Sequence, residues 1–365
     1  MNILFITFDF PPSIGGIETR AMSYIENLLE LGHKVTVIAL SQSEKQYVDT
    51  FLGARVYRLS SSMITLPSAF ITLTKIIEKK SIKVIHILTG ADSIIGLATI
   101  IYGRFRGIKV GIFLYGMDIL KSSRQILKRL LILVNLRIAK RVGVNSKATL
   151  RLIPAIFAHK SYILYPGVDI GALKQYAKEN SRAKGKTILF VGRLIKRKGV
   201  DDLIQAFNIL RETIPSAKLV ITGDGPERNS LFNLSKKFGI QDNVEFTGIL
   251  TGKALYEKYQ ECEVFVMPSK SFDTDVEGFG MVFLEAAFFK KPCVGTWSGG
   301  IPEAVIDGET GLLVSEGDVK GLAKALSRLL SDEKLAFKYG QNAHVRVVKE
   351  FSWRKATFKL VNMYE

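Results

Sequence analysis

The sequence predicts an α/β protein of two domains, each an open, doubly wound parallel sheet of Rossmann type. Three observations predict it. Apolar, β-branched runs alternate with amphipathic helical segments along the chain. The alternation stops in a polar, glycine-bearing stretch at 166–186 and then starts afresh. A chain of 365 residues is also too long for one ordinary core.

The elements follow in order. Residues 3–7 are an apolar run that reads as the first strand, and 18–31 has helical spacing ended by Gly32. Residues 34–40, 84–88, 109–114, 142–145 and 162–164 read as further strands with helices between them. Strand–helix–strand order implies a parallel sheet with helices on both faces. The second series opens with a strand at 187–191 and a helix at 200–211, then strands at 218–222, 243–247, 264–267 and 292–296. The expected organisation is 1–168, a hinge at 169–186, a second domain at 187–348 and a closing segment at 349–365. The two domains are expected to face each other across a cleft. Ligands in such sheets bind beyond the carboxyl ends of the strands.

The hydrophobic share of 47% and charged share of 23% are ordinary, but the net charge of +17 is not. It predicts attraction to nucleotides, nucleic acid or an anionic membrane surface. Cys262 and Cys293 match no metal-ligand spacing and are too few for a disulfide framework, which suits a reducing, cytoplasmic setting. His33, His86, His159 and His344 are scattered, and no metal site is expected from spacing. The first residues read as a strand rather than a signal peptide. No uncharged apolar run reaches the ~20 residues of a spanning helix.

The most informative stretch runs from Glu277 to Glu285. Two carboxylates stand eight positions apart, with Gly278 and Gly280 after the first. The segment reads as a loop entering a helix. A continuous helix would set the two about 12 Å apart, a span suited to a long ligand with hydroxyls at both ends and charge between. Glycines at a helix N-terminus leave N–H groups open to phosphate.

Gly15 and Gly16 follow the first strand and open the first helix, so they read as a phosphate-facing loop. Gly192, Arg193, Lys196, Arg197, Lys198 and Gly199 form the matching loop of the second domain. Its crowded like charges would be relieved by a diphosphate, with Arg193 gripping two oxygens and Lys198 acting as a point charge. Gly299, Gly300, Ile301, Pro302 and Glu303 form a further strand-to-helix turn, with proline suited to the first helical turn. Gly308 and Gly311 read as structural turns. Tyr115 and Asp118 close a strand of the first domain, where they would orient an acceptor hydroxyl. Residues 121–141 carry seven basic residues and no acidic one, with Leu127, Leu130, Leu131, Val134 and Ile138 at helical spacing. The expectation there is a domain helix with its apolar face in the core and its basic face solvated; the alternative is docking on anionic headgroups.

Taken together, Gly15-Gly16, Gly192-Arg193 with Lys198-Gly199, Glu277 with Glu285, and Gly299-Gly300-Ile301-Pro302-Glu303 resemble family 4 of the retaining, nucleotide-sugar-dependent glycosyltransferases. The resemblance covers nearly the whole chain. Around 275–280 it is closest to bacterial phosphatidylinositol mannosyltransferases and related hexosyltransferases. It implies the GT-B fold, with a C-terminal helix crossing back to the first, acceptor-side domain. It implies that Arg193 and Lys198 hold the donor diphosphate and Glu285 the ribose hydroxyls. Glu277 would hold the sugar hydroxyls with the backbone of Phe279 and Gly280 nearby, and Gly16 would let the first-domain loop close on the phosphates. Many relatives carry histidine where this chain has Tyr115. Tyrosine, with an ordinary pKa of ~10, is a poor base near neutral pH.

The expected activity is retaining transfer of a hexose from a nucleotide sugar, with GDP-mannose the lead donor and a UDP-hexose the other. The acceptor would be a hydroxyl of a lipid-linked or membrane-proximal glycan, at the inner face of the cell membrane. Arg193, Lys198 and helix N-terminal N–H groups would stabilise the leaving diphosphate without a metal or other cofactor. Two rivals remain at this point: a nucleotide-sugar epimerase of the same fold, and a non-enzymatic polyanion-binding protein. No nucleic-acid motif or stacking platform is visible.

Overall fold

The computed structural model describes residues 1–12, 15–41, 47–60, 67–122, 125–177, 185–272 and 274–365. Met1–Pro166 with Trp353–Glu365 form one compact unit, and Gly167–Ser352 form a second.

The first unit is built on eight strands: β1 (Asn2–Thr7), β2 (Lys34–Ser41), β3 (Tyr47–Phe51), β4 (Ala54–Ser60), β5 (Val84–Ile87), β6 (Lys109–Leu114), β7 (Arg141–Val144) and β8 (Ser161–Ile163). Their order is β3-β4-β2-β1-β5-β6-β7-β8. All neighbours are parallel except β3, which runs antiparallel to β4. Central strands such as β5 are buried along their length. Both faces of a parallel sheet are covered by helices, so these strands are continuous Val/Ile/Leu runs rather than alternating ones. Leu4, Ile6, Ile38, Ile85, Ile112 and Val142 belong to this core.

The second unit holds β9 (Thr187–Val191), β10 (Lys218–Thr222), β11 (Val244–Gly248), β12 (Val264–Val266), β13 (Cys293–Thr296) and β14 (Gly311–Val314). They are ordered β11-β10-β9-β12-β13-β14 and are all parallel.

Three strands escaped the sequence reading. β3 and β4 form a hairpin turned by Leu52 and Gly53, both with positive φ (50° and 92°). Such turns match the strand twist, but the half-exposed edge strand β3 carries no apolar run to announce itself. β14 begins at Gly311, read as part of a turn; a Cβ there would lie 2.1 Å from Cys293 O, so the glycine admits close pairing with β13.

The expected hinge contains a helix, Ile170–Tyr176, whose N-cap Asp169 accepts a hydrogen bond from Ala172 N. Gln260 donates to Tyr176 O at 2.6 Å, which ties this segment to the second unit. Residues 178–184 of the expected hinge lie outside the described residues.

The last helix, Trp353–Asn362, belongs to the first unit. The Trp353 and Tyr24 rings meet edge-on at 5.8 Å, and the Arg20 guanidinium lies 5.7 Å from the Trp353 ring. Arg141 Nε donates to Met363 O at 2.7 Å, and Lys109 to Tyr364 O. His86, fully buried, hydrogen-bonds the Tyr364 hydroxyl. Burial, helped by the Arg20 charge, lowers its pKa to about 3, so it stays neutral.

The basic segment at 121–141 differs from its expectation. Its main helix is Ile126–Ile138, and 123–124 lie outside the described residues. Ile132, Asn135 and Leu136 face the core, while Ile126, Leu127, Leu130 and Val134 are exposed. Leu127, Leu130 and Val134 of the apolar stripe therefore point outward, while Leu131 is part-buried and Ile138 packs against the core. The helix is instead held through Ile132 and Leu136 and through buried Asn135, which donates to Ala91 O at 2.5 Å.

Candidate active site

In each unit the strand order reverses at one place. β1 lies between β2 and β5, and β9 between β10 and β12. Loops leaving neighbouring strands at such a point diverge and leave a crevice at the carboxyl ends. In the second unit the two diverging segments carry Gly192–Gly199 and Met267–Gly280, so sheet topology brings together residues about 80 positions apart in sequence.

After β9 the chain makes a short 3-10 turn, Lys196–Lys198, ended by Gly199 with φ 65°. A Cβ at Gly199 would fall 2.0 Å from Pro268 O, so only glycine lets the loop after β12 pack this closely. Lys270 N donates to Arg197 O at 2.7 Å, and the Lys270 ammonium pairs with Asp201 and Asp202 at 3.0 and 2.8 Å.

The side chains converge on Glu277. Its Oε2 accepts from Arg197 Nη1 at 2.5 Å, Lys198 Nζ at 2.5 Å and Ser269 Oγ at 3.3 Å. Arg197 Nε lies 2.9 Å from Asp275 Oδ1. Lys198 Nζ also lies 3.2 Å from Met267 Sδ. Burial alone would raise the Glu277 pKa, but the charges of Lys198 and Arg197 hold it at about 2. Burial lowers the Lys198 pKa against the pull of Glu277. Arg193 is exposed, with no ion pair among the described residues.

The backbone of this carboxylate is fixed from below. Gly300 N donates to Glu277 O at 2.9 Å. Gly299 has φ 48°, and a Cβ on it would stand 2.1 Å from that same oxygen. The strand-to-helix turn expected at Gly299 and Gly300 is thus packed against the Glu277 segment.

The helix after Glu277 begins only at Met281 and runs to Phe288, N-capped by Gly280 with φ 85°. Residues 277–280 are not helical, so the 12 Å spacing inferred from a continuous helix does not apply. Phe279 is buried, its ring 5.6 Å from Phe351. Glu285 accepts a hydrogen bond from the Tyr259 hydroxyl at 2.8 Å. Burial raises its pKa, and that bond partly counteracts the rise.

In the first unit, Gly15 is the N-cap residue and Gly16 the first residue of the helix Gly16–Glu30, beyond the carboxyl end of β1. Ser13 and Ile14 of that loop lie outside the described residues. Tyr115 and Asp118 lie beyond β6; Tyr115 N donates to Asp118 Oδ2 at 3.0 Å, so Asp118 ties the end of β6 to the first turn of the short helix Met117–Ser122. The Tyr115 hydroxyl is buried with no hydrogen-bond partner among the described residues, and burial raises its pKa far above the ordinary value. It therefore keeps its proton near neutral pH.

The second unit therefore carries Arg193, Lys198, Glu277, Phe279, Gly280 and Glu285; the first carries Gly15, Gly16, Tyr115 and Asp118. Sequence reasoning passed over Arg197, Asp275, Ser269 and Tyr259. A signal existed for the first two. Four cations in six positions need counter-charges, and Asp275 and Glu277 supply them. Nothing in the sequence marked Tyr259, 26 residues before its partner. Among the described residues, no group of three or more His, Cys, Asp or Glu side chains could hold a metal ion, and no helix is long and apolar enough to cross a membrane.

Residues 14–171 match the family model described as Glycosyltransferase Family 4, and 173–346 match that described as Glycosyl transferases group 1. A Mycobacterium tuberculosis protein named GDP-mannose-dependent alpha-(1-6)-phosphatidylinositol monomannoside mannosyltransferase is 28% identical, over 99% of this chain and 97% of its own. A Corynebacterium glutamicum protein named as the corresponding monoacylated-lipid mannosyltransferase is 29% identical over the same shares. Among solved structures, sucrose-phosphate synthase from Thermosynechococcus elongatus matches with a TM-score of 0.82 at 22% identity, covering 100% of this chain and 98% of the other. Anabaena HepE in complex with UDP-glucose matches at 0.77 and 20% identity, over 99% and 98%. These two carry the fold. The epimerase reading finds no support among these matches. The chain belongs to the family 4 glycosyltransferases, with a GT-B fold of two parallel-sheet α/β units, and is a glycosyltransferase enzyme.

Proposed function

We propose that the protein transfers a hexose, with retention, from a nucleotide sugar to a hydroxyl of a lipid-linked or glycan acceptor, with GDP-mannose as donor. One observation carries the donor site. Glu277 Oε2 takes every protein hydrogen bond given to that carboxylate, and Oε1 takes none among the described residues. An oriented, ionised acceptor oxygen beside Lys198 suits a sugar hydroxyl next to a diphosphate. Arg193, Lys198 and open N–H groups near Gly280 hold the diphosphate and stabilise the charge that builds on it as the glycosidic bond breaks. Glu285 accepts from the ribose. Attack on the same face, assisted by the departing phosphate, accounts for retention. Tyr115 and Asp118 serve the acceptor side, and Gly15 and Gly16 the phosphates. The chemistry needs no metal where these cations serve. GDP-mannose is supported by the names of the two mannosyltransferase relatives matched over their full length.

The same reading has the acceptor at an anionic membrane surface, on the inner face of the cell membrane. Exposed Ile126, Leu127, Leu130 and Val134 share the helix Ile126–Ile138 with exposed Lys128, Arg129 and Arg137. The helix packed beside it, Ile94–Phe105, adds exposed Ile101, Arg104 and Phe105, the last 86% exposed. Apolar side chains ringed by cations fit a lipid headgroup layer.

The test is binding and turnover with GDP- and UDP-sugars. A thermal shift with GDP-mannose, followed by an α-mannosylated lipid product, is the expected result. Preference for a UDP-hexose would move the donor assignment; no shift with any nucleotide sugar would end the reading.

A further inference from the structure

Arg197 has no part in the family-like motif, yet it is the most heavily paired cation of the cluster. Two carboxylates, Asp275 and Glu277, face two part-buried cations, Arg197 and Lys198. The pairing is asymmetric. Arg197 reaches both carboxylates through different nitrogens, with Nε toward Asp275 Oδ1 at 2.9 Å and Nη1 toward Glu277 Oε2 at 2.5 Å. Its backbone is pinned as well, by Lys270 N at 2.7 Å. Lys198 has one charged partner, the same Glu277 oxygen, and otherwise a thioether. Glu277 thus has two counter-ions of unlike kind: a planar fork fixed at two points and an ammonium on a flexible stem.

We propose that Arg197 is a positioning residue, the resident counter-ion of Glu277, and that its presence frees Lys198 to be handed from Glu277 to the donor's diphosphate. This rests on the donor site proposed above. The energetic reason is the cost of an uncompensated buried charge. A buried ion pair broken by removing one partner leaves the other stranded, which is strongly destabilising. With Arg197 in place, Lys198 turns toward phosphate while Glu277 keeps its charge, its Arg197 and Ser269 bonds and its orientation. Without Arg197, every movement of Lys198 toward phosphate strands Glu277. Arg197 therefore governs diphosphate affinity without touching the diphosphate.

The pairing gives a double-variant test that separates this role from direct contact and from mere packing. Dissociation constants for GDP and UDP are measured by calorimetry on wild type, Arg197→Met, Glu277→Gln and the double variant Arg197→Met/Glu277→Gln. Arg197→Met is expected to weaken nucleoside diphosphate binding at least about tenfold. The double variant is expected to return to within about threefold of wild type, because a neutral side chain at 277 no longer holds Lys198. Glu277→Gln alone is expected to bind the diphosphate more tightly than wild type while losing sugar transfer. Arg197→Lys, restoring charge but not the two-point fork, falls between. Unchanged affinity in Arg197→Met overturns the proposal, as does a double variant as weak as the single one, the result expected if Arg197 met the phosphates itself. Should Arg197→Met not fold, Glu277→Gln decides: tighter binding supports the hand-over, and equal or weaker binding overturns it. Wild type binding neither GDP nor UDP would sink the donor-site reading itself.

Discussion

Tyr259, fully buried on the helix Gly252–Glu261, donates its hydroxyl hydrogen to Glu285 Oε2 at 2.8 Å. Its ring is stacked on Phe289, 5.9 Å between centroids with planes 13° apart, and lies 5.7 Å from Phe265. Burial raises the Glu285 pKa and this bond opposes the rise. Tyr259→Phe removes the opposing contribution, so Glu285 keeps its proton to higher pH. On the proposed ribose role, the ionised carboxylate is the better acceptor. Affinity for GDP or UDP should therefore fall away on the acid side at a higher pH in the variant than in wild type. Calorimetric titrations across pH 5–8 measure it; superimposed pH profiles would remove Tyr259 from the site.

Lys198→Ala takes away the part-buried ammonium beside Glu277. If that charge meets the leaving diphosphate, kcat should fall by about 10²–10³, the usual loss for one charge-stabilising donor. Turnover near wild type in a steady-state assay would remove Lys198 from leaving-group stabilisation.

Gly299→Ala adds a Cβ that would stand 2.1 Å from Glu277 O, at a φ of 48°. Strain of this kind costs about 1–3 kcal/mol. The displaced carbonyl belongs to the residue that carries the oriented carboxylate. Denaturant unfolding should show the stability loss, and donor KM should rise with it. A fully stable variant with unchanged KM would show that the glycine pair does not hold Glu277.

Tyr115→Phe deletes a buried hydroxyl that has no hydrogen-bond partner among the described residues. An unsatisfied buried hydroxyl opposes folding, so stability should hold or rise by about 1 kcal/mol. A several-fold fall in transfer at that undiminished stability is expected if the hydroxyl donates to the reacting sugars. Unchanged transfer would leave Tyr115 with a packing role through Phe113, whose ring lies 4.7 Å away.

Charge reversal of exposed Lys128 and Arg129 should loosen binding to anionic phosphatidylglycerol vesicles, by about 1 kcal/mol for each cation lost and more on reversal. Leu127→Ser should weaken it through lost apolar insertion. All three sites are exposed, so the melting temperature should stay near wild type. Co-sedimentation measures it; equal binding by the charge-reversed protein would move the membrane contact elsewhere.

Much of the fold was legible because each central strand is buried on both faces. β1, β5 and β9 are short apolar runs bounded by turns, which is the signal a parallel sheet leaves in sequence. The edge strand β3 left no such run, since edge strands face solvent and carry polar side chains; β4, inside the sheet, interrupts its buried Ala54, Val56 and Leu59 with Arg55 and Arg58. The stripe Leu127, Leu130 and Val134 misled because periodicity says that a helix has an apolar face but not where that face points. In the candidate site, Arg193, Lys198, Glu277 and Glu285 stood out as charges beside glycine turns after strands. Arg197 and Tyr259 did not, because their partners lie 80 and 26 residues away.

The sequence by itself determined the alternation of strand and helix, the restart near residue 187, the glycine turns and the identity of the charged residues that follow them, because these depend on local periodicity and backbone freedom. Only the tertiary structure decided that Glu277 is held by Arg197 and Lys198 together. It packed the glycine pair at 299–300 against the backbone of that carboxylate, and it turned Leu127, Leu130 and Val134 of the basic helix outward. The physical reason is that β9 and β12 are neighbours in the sheet but distant in the chain. Burial then sets which charges must neutralise one another, and no local pattern encodes that pairing.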